Sequence, residues 1–318
     1  MYKEPIFLTP VFKERIWGGQ KLKEEFDYDL PYEKTGEAWV ISAHENGPSV
    51  VKNGPLSGKT LKELWEQYGE LFNKDGNDVG EYPLLVKIID ANADLSVQVH
   101  PDDEFAQEVE HSSYGKTECW YVLDSKKDAN IVLGHHAKNK EELETMIKQE
   151  KWDDLLQKKK VSPGDFYYVP SGTIHAIGEG IMILEIQQSS DITYRVYDYD
   201  RTDDQGNKRE LHLKRAKKVT TTPHQSTDYE RKKVKEQGLV SEALVKEDYF
   251  SVYHWVLDGE VSQEVTADFL QVSVTKGEAT IQVENQSFPI EKGDHFIIPH
   301  TVQKFGLLGN AEFVVSHT

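Results

Sequence analysis

The sequence predicts a mainly β chain, built as two jelly-roll (β-sandwich) units with a few added helices. Three observations predict it. Short β-like runs broken by Gly and Pro turns recur along most of the 318 residues. Val161-Ser-Pro-Gly-Asp-Phe-Tyr-Tyr-Val-Pro170 aligns without gaps to Ile290-Glu-Lys-Gly-Asp-His-Phe-Ile-Ile-Pro299, a repeat that places one such unit in each half. Helical spacing is confined to two stretches, 60–73 and 139–160.

Taken in order, residues 1–58 read as irregular to β, with a β-like Glu37–Ser42. In 60–73, apolar residues recur at 61, 64, 65, 68, 71 and 72. Thr60 is placed to cap that helix, with Glu63 three residues on. Residues 83–100, 118–124 and 129–134 are strand-like. In 139–160, Asn139 caps a second helical pattern with apolar positions at 143, 146, 147, 152, 155 and 156. Strands and turns follow from 161 to 199, a Pro-, Lys- and Glu-rich connector from 222 to 238, and an almost wholly β remainder. This length suits two domains, 1–238 and 239–318.

Composition narrows the partners. The chain is 37% hydrophobic and 29% charged, which suits a soluble globular protein. No run is long enough for a membrane span, and the N-terminal residues hold no signal-peptide core. A net charge of −18 argues against nucleic acid or an anionic membrane as main partner. It does not exclude an anionic small substrate, which needs only a few local cations. The single Cys119 rules out an intramolecular disulfide and suits the cytoplasm.

One stretch carries chemistry. In Leu95-Ser-Val-Gln-Val-His-Pro-Asp-Asp103, Gln98 and His100 lie two residues apart in an alternating run, so a strand points both the same way. Glu118 leads the run Cys-Trp-Tyr-Val-Leu123, where a carboxylate risks burial and then needs a partner or a metal. His175 follows the first copy of the repeat. Two imidazoles, a carboxylate and an amide form a ligand set for a divalent transition metal with a position left open. With twelve His and fifty-five acidic residues in the chain, a His/Glu pairing alone is weak evidence, and His100 is equally readable as a hydrogen-bonded strand end.

The repeat sharpens the choice. Five residues after Pro170 is His175, and five after Pro299 is Lys304. Aligning Val122-Leu-Asp124 with Ser273-Val-Thr275 sets Phe269 opposite Glu118. The second copy keeps the turns and lacks the ligands, so the site belongs to the first. His295 and His300 are then structural or surface residues.

At this point the chain resembles the type I mannose-6-phosphate isomerases, specifically their short bacterial form. The matching words are Trp17-Gly-Gly19, Gly36-Glu-Ala-Trp39, Asn53-Gly-Pro-Leu-Ser-Gly58, Leu84-Leu-Val-Lys87 and Ser96-Val-Gln-Val-His-Pro101. Lys116-Thr-Glu-Cys-Trp120, Val169-Pro-Ser-Gly-Thr-Ile-His-Ala176 and Ser190-Asp-Ile-Thr-Tyr-Arg-Val196 complete the set in the family's order. The resemblance implies a cupin fold and a zinc-dependent aldose–ketose isomerase. It places the metal on Gln98, His100, Glu118 and His175. It carries an essential arginine onto Arg195, pocket residues onto Ser96, Lys87 and Lys116, and an acidic pocket residue onto Glu185. Two departures stand out: larger members have a tyrosine where this chain has Ile177, and they insert a helical domain where only 139–160 is available.

The implied reaction interconverts mannose 6-phosphate and fructose 6-phosphate by moving one proton between C1 and C2 through an enediolate. A divalent cation polarises the carbonyl. Zinc suits the ligands, and Mn, Co or Fe fit the same set. Arg195 either forks onto phosphate or stabilises the enediolate. Glu185, Lys116 or a metal-bound water is the acid/base. Two other classes remain: a cupin oxygenase, which would consume oxygen and need no such cations, and a non-catalytic sugar-binding cupin, which would need no complete metal set.

Overall fold

The computed structural model describes residues 2–75, 80–203, 205–227 and 229–318. Its strands form three antiparallel sheets, as the turn-rich β pattern predicts. The first unit pairs two of them. A six-stranded sheet runs Phe166–Val169, Glu118–Ser125, Ile181–Gln188, Leu84–Ala91, Thr35–Ile41 and Val11–Gly19. A five-stranded sheet runs Tyr194–Tyr197, Val97–Val99, His175–Ile177, Asn130–His135 and Leu156–Lys160. Trp17, Ile89, Leu95, Trp120, Val122, Ile131, Ile177 and Ile183 form a buried cluster drawn from both sheets.

The second unit is built on a nine-stranded sheet with long strands such as Ser251–Glu264, Phe269–Val283 and Lys304–His317. The N-terminal strand Ile6–Thr9 joins this sheet by pairing with His295–Pro299. The chain therefore starts in the second unit's sheet before it builds the first unit. A large apolar cluster spans both, combining Ile41, Leu84, Tyr121 and Ile186 with Val252, Phe269, Ile297 and Val314. Phe269 lies in the aromatic group of Trp65, Phe72 and Tyr82, with Phe72 edge-on at 5.4 Å between centroids.

The repeat is a true structural repeat. Gly164 and Gly293 both turn with positive φ, 89° and 96°, where a side chain would be strained. In each turn the aspartate carboxylate accepts the backbone N–H three residues back: Ser162 N to Asp165 at 2.8 Å and Glu291 N to Asp294 at 3.1 Å. The partner strand shows a register one residue away from the sequence alignment. Phe166 pairs with Tyr121 and His295 with Ser273, so Leu270, not Phe269, stands opposite Glu118. Strand parity decides this, because a slip of one turns every side chain to the other face. Leu270 belongs to the second unit's own core, while Phe269 faces the first unit.

The stretch expected to be helical over 60–73 forms the helix Leu61–Gln67 and then a 3-10 turn, Gly69–Phe72, with the expected capping box: Thr60 Oγ1 accepts from Glu63 N at 3.1 Å and Glu63 Oε2 accepts from Thr60 N at 2.7 Å. The second stretch corrects the expectation. Asn139 caps Lys140–Lys148, but the helical pattern does not continue to 160. Glu150 takes a left-handed φ of 54°, the chain restarts as the short helix Trp152–Leu155, and Leu156–Lys160 is an edge strand. Within the connector expected over 222–238, Lys232–Glu236 pairs as a strand with Leu239–Lys246. The helix Leu213–Val219 lies in a stretch to which the sequence reading assigned no element.

Candidate metal centre

The inward-facing residues of the two sheets in the first unit build the site. On the strand Val97–Val99, both valines are buried in an outer cluster, so Gln98 points the other way. The pairing aligns His175, Gln98 and Arg195 as one row across this sheet. On the opposing sheet, Glu185 lies between Lys87 and Trp120, and Gln187 lies beside Glu118. Six strands and the segment just after Val99 thus deliver residues far apart in the chain to these two facing rows.

Among the described residues, His100, Glu118 and His175 form the one candidate metal-ligating group, with ligand atoms all within 4.8 Å of one another. Glu118 Oε2 is 3.4 Å from His100 Nε2, and Oε1 is 3.4 Å from His175 Nε2. Each imidazole is anchored from behind: His100 Nδ1 donates to Ile192 O at 2.8 Å and His175 Nδ1 donates to Thr173 O at 2.8 Å. Those bonds select the tautomer that turns a bare Nε2 toward the carboxylate. The amide of Gln98 comes within 3.3 Å of His175 Nε2. The four expected ligands are therefore together, with Gln98 at the edge of the set.

Burial and charge suit a cation. Glu118 is fully buried. Burial pulls its pKa up, but Lys116 and the two histidines overrule this and hold it well below the ordinary range. Burial, then Lys116, pushes His100 down to about 3, and burial lowers His175, so both imidazoles are neutral, as ligands must be. Trp120, two residues on and on the same face, donates to Glu118 Oε1 at 3.0 Å. Glu118 Oε2 makes an ion pair with Lys116 Nζ at 2.9 Å but takes no hydrogen bond of good geometry. A carboxylate set between two bare nitrogens, with one oxygen left without that bond, fits a divalent metal ion.

Lys116, Glu185 and Lys87, expected in the pocket, lie beside this set. Lys116 Nζ also lies 3.3 Å from His100 Nε2 and 3.8 Å from Glu185 Oε1. Burial lowers its pKa, yet Glu118 and Glu185 outweigh that and raise it, so the ammonium keeps its charge. Lys87 Nζ is 3.3 Å from the same Glu185 oxygen. Burial and Glu118 raise the Glu185 pKa against the pull of the two lysines, and Oε1 has no hydrogen bond. Ser96 is buried two residues before Gln98. Ile177 lies in the core between the sheets.

Arg195 is half-buried, with Nη1 donating to Glu210 O at 2.8 Å and a buried Nε that has no partner. Beside it, Asp198 binds Arg201 and Arg209, each at 2.6 Å. Sequence reasoning missed these three, although the run Tyr197-Asp-Tyr-Asp-Arg201 begins two residues after Arg195. It also assigned no role to Glu37, whose carboxylate accepts from Trp39 Nε1 at 2.7 Å and from Arg15 at 3.0 Å. Glu37 and Trp39 fall in a word quoted above, and i, i+2 spacing on a strand was the available signal.

In the second unit, buried His295 bonds Ser273 Oγ at 2.8 Å and Tyr28 OH at 2.9 Å, so it ties the N-terminal segment to the sheet. Lys304 is exposed at the start of its strand.

Fold and site define a two-unit cupin with, among the described residues, one candidate metal centre. Comparison with known proteins gives the family. The profile of the phosphomannose isomerase type I catalytic domain matches residues 6–128, and that of the mannose-6-phosphate isomerase cupin domain matches 241–318. A mannose-6-phosphate isomerase of Bacillus subtilis is 50% identical over 317 residues, covering 100% of both chains. Another from Streptococcus mutans is 50% identical, covering 99% of this chain and 98% of that one. The crystal structure of the mannose 6-phosphate isomerase from Bacillus subtilis superposes with a TM-score of 0.96 at 48% identity, over 99% of this chain and 100% of that one. The chain belongs to the type I phosphomannose isomerase family.

Proposed function

We propose that this chain interconverts mannose 6-phosphate and fructose 6-phosphate in the cytoplasm, using one zinc ion. His100, Glu118 and His175 would hold the ion, with Gln98 as a fourth ligand. When bound, the ion supplies Lewis acidity beside the sugar carbonyl. The observation that carries the reading is Glu185: a buried carboxylate, raised in pKa, set against Lys116 next to the three-ligand group.

The remaining chemistry falls to the chain's own residues. The C–H proton at C2 of the open-chain aldose becomes acidic once the neighbouring carbonyl is polarised. Glu185 Oε1 takes that proton and returns it to C1, while the hydroxyl proton passes from O2 to O1. No electron acceptor is needed, because the aldehyde carbon is reduced as C2 is oxidised. A raised pKa brings the carboxylate closer to the operating pH, where a general base exchanges protons most effectively. Lys116 keeps its charge and stabilises the developing enediolate. Arg195, with Ser96 and Lys87, binds and orients the phosphosugar. Arg195 has its partnerless Nε for a phosphate oxygen.

The test is direct. Purified protein given mannose 6-phosphate should form fructose 6-phosphate, lose that activity on chelation and regain it with Zn²⁺. No product from metal-loaded protein overturns the reading. A cupin oxygenase would share the two-histidine, one-carboxylate set. It is disfavoured by the buried lysine pair on Glu185 and would be revealed by oxygen uptake.

A further inference from the structure

The strand that supplies Glu185 ends in two adjacent glutamines, both buried, which the chemistry above does not use: Gln187 is 0% and Gln188 3% exposed. Burying two primary amides is costly unless each is bonded. Their bonds run to opposite walls of the metal centre.

Gln187 acts as a donor. Its Nε2 gives one hydrogen bond to Gln188 O at 2.8 Å and one to Ser190 O at 2.6 Å, while its Oε1 has no partner. This one amide gathers the turn 188–190, which a Ser190 N to Gln188 O bond of 2.7 Å closes. Ile192 N donates to Ser190 Oγ at 3.4 Å, and Ile192 O accepts the Nδ1 proton of His100. The tautomer and direction of the first imidazole therefore rest on the turn that Gln187 holds.

Gln188 uses both ends. Its Oε1 accepts from Thr117 N at 2.8 Å, and its Nε2 donates to Asp103 Oδ1 at 2.9 Å. The same Asp103 oxygen accepts from Gly115 N at 2.7 Å. Backbone bonds add to the clamp, from Gln188 N to Thr117 O at 3.0 Å and from Lys116 N to Pro101 O at 2.9 Å. Gln188 thus fixes residues 115–117, the segment that presents Lys116 and launches Glu118.

We propose that Gln187 and Gln188 are positioning residues that set the metal centre from two sides, Gln187 through His100 and Gln188 through Lys116 and Glu118. The proposal rests on the metal-binding reading of that centre. Outer-sphere partners of metal ligands typically carry about 10–100-fold in metal affinity, and that is the size of effect expected here.

The test measures metal affinity directly in the full-length chain. Chelator-stripped protein is titrated with Co²⁺, followed by visible absorption, and with Zn²⁺ against a competing chelator. Gln187→Met and Gln188→Met keep the volume and remove the bonds. Gln187→Glu and Gln188→Glu are milder in shape and serve if the methionine variants do not fold. Gln187→Glu loses both donors. Gln188→Glu keeps the acceptor for Thr117 N and sets a carboxylate against Asp103. Tyr28→Phe is the control, because it removes a hydrogen-bond partner of Gly293 and His295 away from the site.

Expected are a Zn²⁺ affinity reduced about 10–100-fold in the glutamine variants, an altered Co²⁺ spectrum, and wild-type affinity in Tyr28→Phe. Affinity within twofold of wild type in both glutamine positions overturns the proposal, as does an equal loss in Tyr28→Phe. Failure of the wild-type protein to bind either ion overturns the metal-centre reading instead, so the two are separable.

Discussion

Replacing Lys116 by methionine isolates the charge balance of the centre. Lys116 Nζ lies 2.9 Å from Glu118 Oε2 and 3.8 Å from Glu185 Oε1, with 6% of its side chain exposed against 0% and 4% for the carboxylates. At an effective dielectric constant of about 20, the attractions are of order 6 and 4 kcal/mol. The cost of dehydrating three charges offsets much of this. What remains visible on mutation is the penalty of stranding a buried carboxylate, about 3–5 kcal/mol. We expect Lys116→Met to lower the unfolding free energy of chelator-treated protein by that amount in urea titrations. With Zn²⁺ bound the loss should be smaller, because a divalent cation at His100, Glu118 and His175 neutralises the same carboxylate. Isomerase activity should be lost even with Zn²⁺ bound. Lys116→Arg, which keeps the charge, should recover part of the stability and little of the activity. Equal stability of Lys116→Met and wild type after chelation would refute the reasoning.

Three other outcomes are expected. Arg195→Lys should retain fold and metal content but lower kcat/KM for mannose 6-phosphate at least tenfold, since the ammonium lacks the bidentate fork, by about 1.4 kcal/mol or more; unchanged steady-state kinetics would make Arg195 a bystander. Metal analysis should approach one tightly bound transition-metal ion per chain, and His100→Ala or His175→Ala should lose ion and activity together, whereas a second ion released on changing His295 or His300 would contradict the assignment of a single centre. Asp198→Asn should cost about 1.5–3 kcal/mol near neutral pH. Burial raises the Asp198 pKa, but hydrogen bonds from Arg209 and Arg201 outweigh it and hold it low. A carboxylate lowered on folding contributes stability that is present above its unfolded value near 3.9 and is lost as pH falls through the folded one. The gap between variant and wild type in urea titrations should therefore hold from pH 5 to 8 and close in acid; a gap that widened in acid would reverse the assignment.

Local signals in the sequence were sufficient wherever the physics is local. Thr60 and Glu63 form their capping box, Asn139 caps its helix, and the two Gly-Asp turns share one geometry, because each is decided by a few neighbouring residues. The alternation around Gln98 and His100, the buried-charge problem at Glu118 and the spacing to His175 were legible for the same reason, and the structure brings all four together. Pairing between distant strands was not legible to single-residue accuracy. The repeat pointed to Phe269 opposite Glu118, and sheet register put Leu270 there, since only the packed sheet fixes parity. Helical spacing also carried too far past 148, because a left-handed Glu150 resets the phase and an open sheet edge beside Asn130–His135 recruits Leu156–Lys160. The bonds that aim the site are the least visible in one dimension. Ile192 O on His100, Gln188 on Thr117 and the two arginines on Asp198 depend on backbone atoms and side chains that meet only after both sheets close. The candidate ligands are thus written in residue types and spacing, while their orientation, their protonation and the charge around them are set by tertiary burial.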